Sequence, residues 1–260
     1  MPTPVPIRPP IPSRPKRPFD DASVDAVVPA RNEARSIAAV VQALLARGVR
    51  RVVVVDNGST DGTASVAARA GARVVPEPVA GYGRACRRGI EALVSDPPEI
   101  VVFADGDGAD VPEDLPALVA PIVHEDVNLV VGSRLRGADA SAALPLHVRV
   151  GNRFAAFLLR SLFGVPFTDL GPFRAIDYES LKGLGMRDEA FGWTVEMQAR
   201  AALTGLKIAE VPVRYRERTG RSKISGTVVG SSRAAWGILT TIARIGLLGR
   251  RHRGSPRGEA

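Results

Sequence analysis

Along this 260-residue chain, short runs of apolar residues alternate with longer segments in which apolar positions recur every three or four residues. The runs have the character of strands and the longer segments that of one-sided helices, so the chain predicts the two in turn. VDAVVPA (24–30) is the first predicted strand, and EARSIAAVVQALLARG (33–48) the first helix, closed by Gly48. RVVVVDN (51–57), ARVVPEP (72–78) and EIVVFADGD (99–107) are further strands, separated by helices over GTASVAARAG (62–71) and GRACRRGIEALVS (83–95). Runs as continuously apolar as VVVV and IVVF fit strands covered on both faces by helix layers. After about residue 130 the alternation loosens: LVVGSR (129–134) predicts a fifth strand, HVRVGNRFAAFLLRSLFG (147–164) a helix of about 27 Å at 1.5 Å per residue, and LKIAEVPVRYRER (206–218) a late strand.

The pattern predicts a single α/β domain of Rossmann-like type, with a mostly parallel central sheet and helices on both faces. In such open sheets ligands bind beyond the carboxyl ends of the strands. Those ends read PARNE, DNGSTDGT, PVAGYG and DGDGAD, so four polar loops are expected at one crevice. No internal repeat or linker divides residues 23–227, and a moderately hydrophobic segment follows at 228–249. There Arg233 and Arg244 would share one face of a helix.

Charge alters the picture only at the two ends. The net charge is +8, but residues 1–20 contribute +3 and residues 244–260 contribute +4, so the body is nearly neutral. A nucleic-acid groove across the body is not implied. Residues 1–22 begin with eight prolines in the first 18 positions and predict a disordered basic tail; residues 250–260 form a second basic tail. No run approaches the 18 apolar residues of a membrane-spanning helix. The lone cysteine, Cys86, excludes a disulfide framework and suits a reducing cytoplasm; on its predicted helix it reads as a packing residue. His124, His147 and His252 lack zinc spacing, and Trp193 and Trp236 suit core or interface burial as well as sugar contact.

The chemistry concentrates in FADGDGAD (103–110). Two carboxylates spaced as Asp105 and Asp107 on a loop after a strand can place oxygen ligands near Mg²⁺ or Mn²⁺, and such a cation bridges phosphate oxygens. A solvated Asp/Gly turn is the competing reading, and the position at a carboxyl strand end favours the first. In DNGSTDGT, Asp56 is a candidate ligand contact while Ser59, Thr60 and Asp61 are placed to cap the next helix. Neither a GxxxxGK phosphate loop nor a GxGxxG fingerprint is present, which disfavours dinucleotide binding.

VVPARNE, VVVVDNGSTDGT, GYGRACRRGI, FADGDGAD, VGSR, TDLGPFRAI and VPVRYRERTGRSKISGT stand in the order and spacing of family 2 glycosyltransferases, and resemble most the polyprenyl (dolichyl) phosphate sugar synthases over about residues 24–227. The resemblance implies the GT-A fold, a nucleotide-diphosphate-sugar donor of UDP-glucose or GDP-mannose type, an inverting hexosyl transfer and a divalent cation. It puts Pro29, Arg31, Glu33, Asp56 and Gly83 around the donor, Asp105 near ribose and metal, and Asp107 as principal metal ligand. Arg134, Arg149, Arg218, Ser222 and Lys223 match positions that hold the diphosphate and the acceptor phosphate. The sequence departs from the family pattern at Arg31, where an aromatic is usual, at Asn57, where a second acid is usual, and at Ala109, where mannose-type synthases carry Gln; Asp110 or water is the candidate replacement ligand.

A lipid-phosphate acceptor is already an anionic nucleophile and needs holding rather than deprotonating. A hydroxyl acceptor needs a base, for which Asp169 and Glu196 are the candidates, with a supporting role the competing reading for Glu196. Two enzyme readings therefore stand open: transfer to polyprenyl phosphate at the inner membrane face, or transfer by a soluble enzyme to a small hydroxyl acceptor such as a phosphoglycerate. A non-enzymatic basic binding module ranks below both. The segment 228–249 is expected either to lie on an anionic membrane, helped by the RRHR that follows, or to pack on the body or in a homodimer.

Overall fold

The computed structural model describes residues 22–136, 146–218 and 236–246. Seven strands form one sheet in the order β3-β2-β1-β4-β6-β5-β7. β1 (Val24–Ala30), β2 (Arg51–Asp56), β3 (Arg73–Pro76) and β4 (Ile100–Phe103) are parallel, linked through α1 (Ile37–Ala46), α2 (Thr63–Arg69) and α3 (Tyr82–Glu91). A short 3-10 turn and α4 (Leu115–His124) lead to β5 (Leu129–Ser133), and α5 (Leu146–Phe163) follows. β6 (Arg174–Asp177) runs antiparallel to both β4 and β5, while β7 (Ile208–Pro212) is parallel to β5. Between β6 and β7 come α6 (Tyr178–Leu184) and α7 (Trp193–Leu203), and residues 236–246 form a final helix.

Strand alternation splits the core into two layers. Val27, Val53, Val55, Val101 and Phe103 pack with α3, α5, α6, α7 and the final helix, whereas Ala26, Val28, Val52, Val54 and Val102 pack with α1, α2 and α4. Because both faces are covered, the predicted continuous apolar runs are the parallel strands. Chain order reverses beside β1: β1 leads to β2 and β3 on one side, and β4 returns to its other side. A crevice forms at such a switch point.

Differences from expectation have local causes. α1 begins at Ile37 rather than at residue 33 because Asn32 adopts a left-handed φ of 53° and the Glu33 carbonyl accepts the N–H of both Ser36 and Ile37. β6 is only RAID, with a buried arginine where a strand pattern would call for an apolar residue. The hydrophobic pattern assigns no element to α4, whose apolar stretch carries Pro116 and Pro121, or to α6. The final helix packs on the body: Ile242 and Ile245 are buried with α5 and α7, and the Thr241 hydroxyl donates to Asp188 at 2.8 Å. The predicted tails, and Ser222 and Lys223, lie outside the described residues.

Gly132 and Gly171 bring β5 and the loop before β6 into backbone contact; a Cβ on Gly171 would overlap the Gly132 carbonyl oxygen. Gly171→Ala should therefore lower the thermal midpoint by roughly 6–12 °C, the consequence of about 3 kcal/mol of overpacking in a domain of this size. Gly151→Ala, on a helical glycine with nothing within 4 Å, should hold or raise the midpoint. Differential scanning calorimetry on the two variants checks the contrast.

Candidate active site

The chain leaves the sheet after Phe103 and folds back on itself. The Asp105 N–H donates to the Asp110 carboxylate at 2.9 Å, and the Ala109 N–H to Asp107 Oδ1 at 3.0 Å. Gly106 lies against β1, where a Cβ would come within 3.3 Å of the Pro29 carbonyl oxygen, and its own carbonyl accepts the Ser36 hydroxyl at 2.8 Å. Asp110 and Tyr215 form an antiparallel bridge, and the Arg216 N–H donates to the Ala109 carbonyl at 2.9 Å, so the segment after β7 is laid across the acidic loop.

Three carboxylates held this closely repel. Burial first, and then the charge of Asp107, push Asp105 up to about 7, against the opposing pull of Arg218 and a hydrogen bond from Tyr82. Burial and the charge of Asp105 likewise raise Asp110 well above the carboxylate range. The loop is thus an anionic site short of positive charge, with oxygen donors of the kind a hard divalent cation takes. Among the described residues no three His, Cys, Asp or Glu side chains converge as a complete ligand set.

Positive charge faces the loop from two places. Arg218 lies 3.3 Å from Asp107 and shares a hydrogen bond with Tyr215. Arg134, at the end of β5, is nearly buried and stacks over the Tyr215 ring, 5.1 Å from its centroid. Its guanidinium is fixed by Asp169 through Nε at 2.7 Å and a second nitrogen at 2.8 Å, and its backbone N–H donates to the same carboxylate at 2.9 Å. Asp169 also accepts the Asn152 amide of α5 at 2.6 Å and the Leu170 N–H at 2.8 Å. Burial alone would raise its pKa, but the Arg134 charge and these bonds reverse the sign and hold it below the usual carboxylate value. With five donors on two oxygens, the Asp169 carboxylate anchors Arg134 and is in no position to serve as the base for which the sequence made it a candidate.

Glu196 takes the supporting role that was one of its two readings. It is fully buried and accepts the N–H of Arg187 at 3.0 Å, that of Asp188 at 2.6 Å and Arg200 Nε at 2.8 Å, so it shapes the loop before α7. Gly83, expected beside the donor, receives that loop. Its N–H donates to the Ala190 carbonyl at 3.2 Å, and a Cβ there would overlap the Asp188 carbonyl oxygen. Arg84 N–H is taken by Glu189 at 3.1 Å, so the start of α3 is already capped by protein.

At the other wall, Pro29, the exposed Arg31 and Glu33 follow one another at the end of β1, beside Asp56 at the end of β2. The two loops are tied together by Asn32 N–H to Ser59 Oγ at 2.9 Å and Thr60 N–H to Asn32 Oδ1 at 2.7 Å, so Ser59 and Thr60 do not cap α2 as expected. Asp61 does part of that work, accepting the Thr63 N–H at 3.1 Å, and Asp56 accepts the Ser59 N–H at 3.1 Å. Asn57 is spent on the fold: its amide donates to the carbonyls of Glu77 and Val79 and accepts the Gly81 N–H at 2.8 Å. A carboxylate could not make both donations, which accounts for Asn where the family pattern has an acid. Arg149 stands on α5, one turn before Asn152.

Several members of the site carry no signal in the sequence taken alone. Tyr82, Tyr215, Asn152 and Gln198, whose amide donates to the Asp169 carbonyl at 3.0 Å, act through contacts distant along the chain. Glu210 of β7 holds the loop from the other side, accepting the Thr168 hydroxyl at 2.8 Å and the N–H groups of Thr168 at 2.9 Å and Asp169 at 3.1 Å.

A family model described as "Glycosyl transferase family 2" matches residues 25–185. The chain is 40% identical over 210 residues to an uncharacterized glycosyltransferase of Mycobacterium tuberculosis, covering 80% of this chain and 93% of the relative. It is 34% identical over 223 residues to the dolichyl-phosphate hexose transferase of Haloferax volcanii, covering 82% and 92%. Among solved structures, glucosyl-3-phosphoglycerate synthase from Mycobacterium tuberculosis, crystallised with Mn²⁺, UDP-glucose and phosphoglyceric acid, superposes with a TM-score of 0.70 at 24% identity over 90% of this chain and 85% of that one. That likeness is one of fold.

If Asp169 works by holding Arg134, Asp169→Asn and Arg134→Ala should each lower kcat/KM by on the order of 10²-fold, and the double variant should lose little more than either alone. Additive losses in the double-mutant cycle would make Asp169 an independent participant.

Proposed function

The chain belongs to glycosyl transferase family 2, and on that footing we propose that it transfers a hexose, with inversion, from a UDP-glucose or GDP-mannose type donor to a polyprenyl phosphate. One observation carries the choice of acceptor. The two carboxylates that sequence offers as a general base, Asp169 and Glu196, have their oxygens committed to protein donors. A phosphate oxygen needs no base, whereas a hydroxyl does. The 34% identity to a dolichyl-phosphate hexose transferase and 29% identity to the undecaprenyl-phosphate mannosyltransferase of Micrococcus luteus support the same acceptor class.

In this reading, Pro29, Arg31, Glu33 and Asp56 receive the nucleoside, and Asp105 reaches the ribose. A divalent cation, Mg²⁺ or Mn²⁺, would be held by Asp107 with Asp105 beside it and would neutralise the leaving diphosphate. Arg134, stiffened by Asp169 and Tyr215, and Arg218 supply positive charge to the phosphates; Arg149, Ser222 and Lys223 are assigned to the diphosphate and acceptor phosphate by their match to the family motifs. An acceptor phosphate oxygen attacks the anomeric carbon as its bond to the diphosphate oxygen breaks, and the nucleoside diphosphate leaves with the electron pair. Positioning and preorganised charge supply the acceleration. Arg218 must exchange Asp107 for phosphate as the donor site fills, since one guanidinium now neutralises the carboxylate assigned to the cation. We place the reaction at the cytoplasmic face of a membrane; among the described residues no helix is long and apolar enough to cross one.

Incubation with radiolabelled UDP-glucose or GDP-mannose, Mn²⁺ and polyprenyl phosphate should move label into the organic phase. Chelation of the cation should stop the transfer, and Asp107→Asn should lower it by at least about 10³-fold. Label that stays aqueous, appearing on phosphoglycerate or another small hydroxyl acceptor, would replace the lipid reading with the soluble one.

A further inference from the structure

Along α5, Val150, Phe154 and Phe157 recur at four- and three-residue spacing and are 58%, 52% and 62% exposed. Arg153 and Arg160 are exposed on the same helix, Arg149 stands at its start, and the stretch from Leu146 to Phe163 contains no Asp or Glu. Along one flank of this face a cavity of about 390 Å³ is walled by apolar Leu135, Phe157 and Phe167 and by the cationic Arg136, Arg153 and Arg160. Among the described residues only Arg136 of these three meets a carboxylate, Glu210 at 3.8 Å.

An apolar stripe beside Arg153 and Arg160, which meet no carboxylate among the described residues, fits a partner that is apolar and anionic at once. The surface of an anionic bilayer has both properties: arginines meet the phosphate layer while phenylalanines enter the boundary with the acyl chains. An 18-residue helix lying flat spans about 27 Å, long enough for the whole stripe to engage together. We propose that this outer face of α5, with its cavity, is the surface by which the enzyme docks on anionic phospholipid membranes. The assignment moves the membrane contact away from the final helix, whose Ile242 and Ile245 are buried in the body. α5 is also the helix that sends Asn152 to Asp169, and Thr168 lines the cavity one residue before that aspartate. Docking there presents the acceptor end of the crevice to lipid, a purpose that rests on the lipid-acceptor reading although the surface chemistry does not.

Co-sedimentation of the full chain with vesicles of phosphatidylcholine alone, or with phosphatidylglycerol added, tests the proposal. Binding should require phosphatidylglycerol. Each arginine near such a surface is worth about fivefold in binding, so Arg153→Gln with Arg160→Gln should weaken it about 25-fold. Phe154→Ser with Phe157→Ser should weaken it at least tenfold with the thermal midpoint retained, since both side chains are exposed. Wild-type binding by both double variants overturns the proposal, as does binding that survives them but disappears on removal of residues 250–260. Concentration-dependent dimerisation abolished by the phenylalanine pair, without vesicle binding by the parent, assigns the face to a second copy and likewise overturns it. Transfer to polyprenyl phosphate in detergent separates the two readings. Transfer without vesicle binding removes the surface and keeps the acceptor, whereas vesicle binding without lipid transfer removes the acceptor and keeps the surface.

Discussion

Asp169 holds Arg134 in one place, and the proposed use of that guanidinium on a phosphate depends on the hold. A long guanidinium side chain free in solution samples many rotamers, and ordering it costs up to about 2 kcal/mol that would otherwise be taken from substrate binding. Here the cost is met during folding, by two side-chain hydrogen bonds and a third from the Arg134 backbone to one buried carboxylate. The carboxylate is fixed in turn by Asn152 from α5, while Gln198 of α7 and Glu210 of β7 fix the backbone that carries it. Three elements outside the loop that carries Asp169 thus converge on a single ion pair. Removing one partner of a buried pair leaves an uncompensated charge, typically a loss of about 3–5 kcal/mol, so the arrangement also couples site geometry to stability.

The opposite wall is built on the contrary principle. Asp105, Asp107 and Asp110 are crowded so that their charges are costly, and the burial that raises Asp105 and Asp110 is what would make a cation bind there strongly. Arg218 partly settles that imbalance through Asp107. The crevice therefore pairs a cationic group locked in place with an anionic loop still short of charge. In the proposed reaction the donor brings metal and diphosphate to this division and the acceptor only a phosphate.

How much of this could be read from the chain depends on distance along it. β1 to β4, their helices and the loop bearing Asp105 and Asp107 are local patterns, and they appear close to where periodicity puts them. β6 is four residues long and includes Arg174, a fully buried arginine bonded to the carbonyls of Leu170, Gly171 and Thr194. No hydrophobic pattern announces a strand of that kind. The role of Asp169 was ambiguous for a related reason: a carboxylate in TDLGPFR reads equally as base or anchor until Arg134, 35 positions away, is seen to occupy it. Gly83 shows the same limit, because its need for a bare Cα comes from the backbone of Asp188 rather than from its own motif.

In the proposed reaction the acidic loop takes a cation and diphosphate in exchange for Arg218, while Arg134 stays where Asp169 has put it. A crystal structure with Mn²⁺ and a nucleoside diphosphate, with manganese located by anomalous scattering, tests this directly. Manganese should lie against Asp107, with Arg218 drawn away to phosphate and the Arg134–Asp169 pair unchanged. Manganese found elsewhere, with Arg218 still bound to Asp107 beside the nucleotide, would contradict it.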